Sequence, residues 1–135
     1  MSARRDPLAL FAALAGAAAV IAGAYGAHGA SGAAAEWLKT GSHYQIVHAL
    51  AALALLGRPL GRAAGWLFVA GGAVFAGTLY AMALGGPLWL GAVTPVGGLM
   101  LIAGWLVLAA GSLNPPRNGE GDHAKHGGGG GAQRR

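Results

Sequence analysis

Long apolar runs separated by short polar connections dominate this chain. No Asp, Glu, Lys or Arg lies between Leu8 and Ala35, and none lies between Ala63 and Pro116. A helix that rises ~1.5 Å per residue needs about 20 apolar residues to cross ~30 Å of hydrocarbon. The first run is long enough for one crossing and the second for two. The pattern therefore predicts helices that span a membrane.

Helix-breaking residues set the limits of the predicted spans. Pro7 suits the first turn of a helix, Gly85-Gly86-Pro87 supplies a turn, and Asn114-Pro115-Pro116 stops the last helix. The four resulting spans are about 8–28, 36–57, 64–84 and 94–113. We predict an all-α fold over residues 1–113, an integral membrane bundle of four transmembrane helices. A disordered, Gly-rich polar tail is predicted over residues 114–135.

The second predicted span is the least apolar. Its polar side chains precede an Ala and Leu run and include His43, Tyr44, Gln45 and His48. A polar residue also recurs at every fourth position, namely at Glu36, Thr40, Tyr44 and His48. This repeat predicts one polar stripe along the helix. Because polar groups find no partners in lipid, we expect the stripe to face protein or water.

The first span has two interpretations. Small residues at every fourth position (Ala15, Ala19, Gly23, Ala27) would let a neighbouring helix approach closely. Alternatively, Arg4 and Arg5 before the apolar run, together with the small residues Ala22 and Ala24, fit a cleaved signal peptide. The apolar run continues past that site, so we favour a retained helix.

The basic residues lie unevenly on the two sides of the predicted spans. One side holds Arg4, Arg5, Arg58, Arg62, Arg117, Lys125, Arg134 and Arg135, whereas Lys39 stands alone on the other. Cytoplasmic connections of membrane proteins carry an excess of Lys and Arg. The distribution therefore predicts that both termini are cytoplasmic.

Composition agrees with a membrane location and limits the chemistry. Hydrophobic residues make up 55% of the 135 residues and charged residues 10%, whereas a soluble domain has about 25% charged residues. The net charge of +5 is spread over connections and tails, so no basic face for nucleic acid forms. The chain has no cysteine, which excludes disulfides and thiolate metal sites.

His28 and His48 are the first candidate residues for chemistry, because ionisable side chains are costly at membrane depth. If spans one and two are antiparallel neighbours, both histidines would lie at similar depth. The favoured interpretation is a structural role through hydrogen bonds to backbone carbonyls or to the hydroxyl of Tyr25 or Tyr44. A metal or haem site that uses both imidazoles is the alternative. No paired carboxylates or serine triad accompany them, so we predict no enzyme activity, metal or cofactor.

The other candidate positions lie in the second apolar run. Tyr80 is placed as an interface anchor near the end of span three. Thr94 resembles an N-cap and Pro95 a first helical residue, which predicts a helix that begins inside the membrane. An ordinary hairpin with its helix resuming at Leu88 is the alternative.

Several short strings resemble the small membrane-protein family called domain of unknown function 423, which includes proteins similar to transmembrane protein 256. The strings are Gly26-Ala27-His28-Gly29, Tyr44-Gln45-Ile46-Val47-His48-Ala49-Leu50, Gly77-Thr78-Leu79-Tyr80, Thr94-Pro95-Val96-Gly97-Gly98 and Gly104-Trp105. Together they extend over most of Leu8 to Leu113. The resemblance implies a multi-pass protein of the bacterial inner membrane type and brings no established activity, substrate or cofactor.

The sequence leaves two classes of function. We favour a structural or accessory membrane protein that acts by lateral helix association, with the lipid bilayer and a second copy or other membrane proteins as partners. The alternative is a small transport or ligand-binding protein that acts as an oligomer, because a polar stripe and an interrupted helix also occur in transporters.

Overall fold

The computed structural model describes residues 5–113, which form α-helices joined by short connections. In chain order the elements are α1 (Pro7–His28), α2 (Gly32–Ala54), α3 (Gly61–Ala83), a short 3-10 helix (Leu88–Ala92) and α4 (Thr94–Leu113). Residues 5–113 contain no strand, which confirms the all-α prediction. The predicted tail over residues 114–135 lies outside the described part of the chain.

Three helical segments are long and apolar enough to cross a membrane. They are Pro7–His28, Gly61–Ala83 and Leu88–Leu113. The helix α2 is as long as α3, at 23 residues, but it is not among these three. Its polar residues lower its hydropathy, as the sequence pattern indicates.

The bounds of α2 differ from those of the predicted second span. The helix begins at Gly32, directly after an extended Ser31, and ends at Ala54, rather than spanning about 36–57. Ala33, Ala34 and Ala35 explain the earlier start, because alanine has the highest helix propensity. The earlier end precedes Gly57, whose φ of +78° is a backbone conformation that glycine adopts without strain.

The helix α3 packs against each of the other three α-helices, and α2 lies between α1 and α3. The central apolar cluster consists of Leu8, Ala12, Ala52, Ala64, Phe68, Val69 and Leu101. Glycine permits the closest approach between α3 and α4: a Cβ at Gly97 would lie 2.7 Å from the Gly71 carbonyl oxygen. The helices therefore meet with backbone against backbone.

Large apolar side chains cover much of the outside of the bundle. Ile21, Leu99 and Leu106 are 70%, 65% and 64% exposed, respectively. A soluble domain rarely exposes contiguous apolar surface of this kind. This outer surface fits contact with the hydrocarbon of a lipid bilayer.

Candidate functional site

His48 links α2 to α4 through one ring nitrogen and bonds to the backbone of its own helix through the other. The Trp105 indole nitrogen donates to His48 Nε2 at 3.1 Å, and His48 Nδ1 lies 2.6 Å from the Tyr44 carbonyl oxygen. An indole N–H can only donate, so Nε2 must accept and Nδ1 must carry the proton. The geometry therefore assigns His48 as the neutral Nδ1–H tautomer, with both ring nitrogens hydrogen-bonded.

Aromatic rings surround this histidine. The Phe68 ring centroid lies 5.2 Å from that of His48, and the Trp105 ring packs on Phe68 at 4.9 Å. The Tyr44 ring is nearly parallel to the imidazole at 6.3 Å and also contacts Phe75 at 4.8 Å. His48 itself is buried. The hydrogen bond between His48 and Trp105 thus lies within an aromatic cluster and is partly buried.

Gln45 and Tyr80 join α2 to α3. The Tyr80 hydroxyl donates to Gln45 Oε1 at 2.9 Å, and Gln45 is buried. Gly41, one helical turn before Gln45, makes room for the Tyr80 ring: a Cβ there would lie 2.7 Å from Tyr80 Cε1. Tyr80 therefore packs between two helices, and its placement as an interface anchor stays a prediction.

Thr94 joins α4 to α3. Its hydroxyl oxygen lies 2.8 Å from the Thr78 hydroxyl oxygen and 3.3 Å from the Leu90 carbonyl oxygen, to which it can donate. A 3-10 helix covers Leu88–Ala92, and the α-helix begins at Thr94 after Val93. The α-helical start at Thr94 is therefore confirmed, although the chain is already helical from Leu88 as the alternative expected. The position of this start inside the membrane stays a prediction. The capping role is wrong, because Thr94 is already helical and its hydroxyl points towards α3. Pro95 follows it inside the first turn and is exposed.

Ser42 joins α2 to α1 and is not among the candidate residues that the sequence predicts. Its hydroxyl donates to the Ala19 carbonyl oxygen at 2.7 Å, and it also lies against Gly23. The small residues of α1 thus admit this contact, although Ala27 of the same repeat is exposed. The three-residue spacing of Ser42, Gln45 and His48 was the signal that could have identified the buried polar side of α2.

The predicted polar stripe on α2 is wrong. Of Glu36, Thr40, Tyr44 and His48, only His48 is buried. A strict four-residue repeat gains about 40° per step over a helix with 3.6 residues per turn. Over the whole repeat, the side chains therefore rotate from the outside of the bundle to its interior.

The predicted pairing of His28 with His48 is also wrong. His28 is exposed at the end of α1. Near that end, Gly26 packs against Leu38, and a Cβ on Gly26 would lie 2.8 Å from Leu38 Cβ. His48 lies about 15 Å further along α2 at 1.5 Å per residue. In the part of the chain that is described, no group of three or more His, Cys, Asp or Glu residues can hold a metal ion.

The side of α2 opposite its buried face carries a second row of residues. This row, the α2 seam, consists of Glu36, Thr40, His43, Val47, Leu50 and Ala54, all of them exposed. Lys39 flanks it and pairs with Glu36 at 3.3 Å. His43 lies midway between the ends of α2, where its ring meets only the edge of Tyr44. Within residues 5–113, no group hydrogen-bonds to the His43 side chain.

An apolar groove lies between α1 and α3, and α2 contributes one residue to its lining. Its volume is about 380 Å³, and its lining consists of Ala18, Ile21, Ala22, Tyr25, Leu38, Tyr80 and Leu84. The Tyr80 hydroxyl is already bonded to Gln45. The groove therefore offers mainly apolar surface, with the exposed Tyr25 at its rim.

Comparisons with known proteins agree with the resemblance of the motif strings. The family described as "Protein of unknown function (DUF423)" matches residues 22–98. The UPF0382 inner membrane protein YgdD of Escherichia coli (strain K12) is 38% identical over 89 residues, which cover 62% of this chain and 68% of that protein. The UPF0382 membrane protein SH2409 of Staphylococcus haemolyticus is 44% identical over 72 residues, which cover 49% and 58% of the two chains.

No solved structure matches this chain. The family match, the relatives named as membrane proteins and the long apolar helices together identify a multi-pass membrane protein. This chain belongs to the DUF423 family of membrane proteins of unknown function.

Proposed function

We propose that this protein crosses the bacterial inner membrane four times and acts without catalysis, by lateral association with protein in the bilayer. The observation that carries the four-span arrangement is the ion pair between Asp6 and Arg62. Arg62 Nη1 lies 3.1 Å from Asp6 Oδ2, which brings the start of α1 next to the start of α3. If α1 and α3 cross the membrane in the same direction, α2 must cross in the other.

The packing of α2 also supports a crossing. Its first half contacts α1 at Gly26 and Gly23, and Ala52 near its end belongs to the central apolar cluster. A helix packed lengthwise between two spanning helices shares their depth. Ser42, Gln45 and His48 reduce its hydropathy, but α1, α3 and α4 supply each of them with a hydrogen-bond partner. The costs of burying these polar groups are thereby offset.

The same arrangement supports cytoplasmic termini and a retained first helix. Asp6 and Arg62 mark one end of the bundle, the end that also carries Arg58 and Arg5. This basic end is the cytoplasmic one by the positive-inside rule. Leu8 and Ala12 of α1 are fully buried in the central cluster, so removal of α1 as a signal peptide would open the core.

The interior polar groups support a structural role. Within the described residues, no buried side-chain nitrogen or oxygen lacks a hydrogen-bond partner. Ser42, Gln45, His48 and Thr78 each form a hydrogen bond to a neighbouring helix or to their own backbone, which supports a role in holding the helices together. His43, whose side chain has no hydrogen-bond partner within residues 5–113, lies on the α2 seam and faces outwards.

Photo-cross-linking in native membranes tests this proposal. A benzophenone amino acid at Val47 in the α2 seam should give adducts with protein. The same group at Leu106, an exposed apolar position of α4, should react with lipid alone. If Val47 cross-links as efficiently as Leu106 but gives no protein adducts, lateral association through α2 is contradicted.

Ligand binding in the membrane is the second candidate function, and the groove between α1 and α3 favours it. A cavity of about 380 Å³ is within the size range of small-molecule sites. Native mass spectrometry should then detect an apolar molecule that is lost in the variant Ala22→Trp, which fills the groove. An identical mass profile for Ala22→Trp and for Leu106→Trp would exclude a specific ligand.

A further inference from the structure

We propose that the α2 seam is a homodimer interface in which two copies of α2 pack in parallel about a two-fold axis along the membrane normal. This inference rests on the proposed lateral association and names its partner as a second copy of the same chain. Two copies that insert into the membrane with the same topology have parallel α2 helices. A two-fold axis that relates such helices must run along the membrane normal.

The spacing of the seam fits a helix pair. Its positions, Glu36, Thr40, His43, Val47, Leu50 and Ala54, alternate between steps of four and three residues. This alternation averages 3.5 residues, the repeat at which two helices stay in contact by supercoiling around each other. The buried face of α2 lies on the opposite side, so a second helix can dock without displacing α1 or α3.

The polar seam positions are self-complementary. A neutral imidazole carries one donor and one acceptor, and a threonine hydroxyl carries both functions. Across a two-fold axis, His43 meets His43 of the second copy and Thr40 meets Thr40, so each group meets a possible partner. An acyl chain offers no partner to either residue. His43 lies midway along α2, where the lack of a partner is most costly.

The charged end of the seam also tolerates a second copy. Glu36 and Lys39 lie 3.3 Å apart within one chain, so this turn carries no net charge. Two such turns can approach each other without net repulsion. Towards the cytoplasmic end, Val47, Leu50 and Ala54 supply apolar layers of the kind that such helix pairs use.

Single cysteines test the proposal directly, because the native chain contains no cysteine. Cysteine replaces Thr40, His43, Val47 or Leu50 one at a time, and the full-length protein is oxidised in native membranes. Matched controls replace Leu14 on α1 and Leu106 on α4, which are 55% and 64% exposed. We expect disulfide dimers at the seam positions and none at the controls. Equal yields at seam and control positions would indicate random collision and overturn the proposal.

A second measurement follows association without a disulfide. In vesicles, energy transfer between labelled copies should show dimerisation that is weakened roughly 3- to 10-fold in His43→Ala, in line with modest hydrogen bonds between membrane helices. Leu106→Ala, a matched change on α4, should leave the dimer unchanged. An unchanged dimer affinity in His43→Ala would show that His43 does not contribute to the interface, which would overturn the proposed packing.

The two proposals fail in different ways. Protein photo-adducts from Val47 without disulfide dimers at the seam mean that a different protein occupies it, which overturns the homodimer and leaves lateral association intact. The absence of both overturns the two proposals together. Disulfide dimers at the seam, with adducts of twice the chain mass, support both.

Discussion

At the scale of single residues, two histidines on one helix have opposite surroundings. His48 has both ring nitrogens bonded and is packed among aromatic rings, whereas His43 points away from the bundle. They lie five residues apart on α2, which separates them by about 140° around the helix. His48 therefore holds the fold, whereas we propose that His43 contacts a partner.

The first prediction compares these residues by substitution. His48→Ala should lower the free energy of unfolding by about 1 kcal/mol, because it removes the Trp105 contact and leaves the indole N–H without its acceptor. His43→Ala should leave the stability of the monomer unchanged. Thermal unfolding in a monodisperse mild detergent measures both values. Equal losses in the two variants would contradict the structural role of His48.

At the scale of elements, the contact between α2 and α3 depends on a glycine, Gly41, at a position where any side chain would be in the way. Tyr80 reaches Gln45 by lying over Gly41. The contact of Tyr80 with Gln45 sets how α3 faces α2, and the contact of Thr78 with Thr94 sets how α3 faces α4. The interior of the bundle therefore depends on a few close approaches as well as on apolar burial.

The second prediction concerns Gly41→Ala. The added methyl group would overlap the Tyr80 ring, so the variant should lose about 1–3 kcal/mol of stability, as overpacked cores commonly do. Gly77→Ala in α3 is the matched control, because a Cβ there meets nothing within 4 Å, and its stability should be equal or slightly higher. Detergent unfolding of both variants provides the measurement. A neutral Gly41→Ala would mean that Tyr80 can move away freely.

At the scale of the whole molecule, the Asp6 and Arg62 pair and the basic residues around it define one end of the bundle. The opposite end contains the short turn between α1 and α2, at Gly29 to Ser31. The groove between α1 and α3 lies towards this opposite end, because its lining includes Tyr25 and Leu84. The two ends of the protein therefore differ in charge and in shape.

The third prediction concerns topology. Reporter fusions between Arg58 and Arg62, and at the C-terminus, should report the cytoplasm, whereas a fusion at Ser31 should report the outside. The basic residues retain the first two sites in the cytoplasm. Alkaline phosphatase and green fluorescent protein fusions in living cells give opposite readings and control for expression. A cytoplasmic reading at Ser31 would contradict the four-span proposal.

Local sequence patterns predict the number of helices and their main interruptions, although the bounds of α2 differ. Runs without charge predict helices of membrane-spanning length, and Gly85-Gly86-Pro87 and Thr94-Pro95 mark the turn and the start of α4. These features depend on local properties such as hydrophobicity, propensity and the geometry of proline. Neighbouring residues alone therefore suffice to predict them.

The orientation of each helix and the contacts between distant residues emerge from the packing of the bundle. The four-residue repeat predicted a stripe that the helical twist disperses, and the presumed neighbours His28 and His48 lie at different levels. The bond between His48 and Trp105 joins residues 57 positions apart. The spacing of Ser42, Gln45 and His48 could have indicated the buried side of α2, but not the partners of these residues. The partners depend on the rotation and relative height of whole helices, which are set by packing at Gly41 and Gly97 and by hydrogen bonds across the bundle.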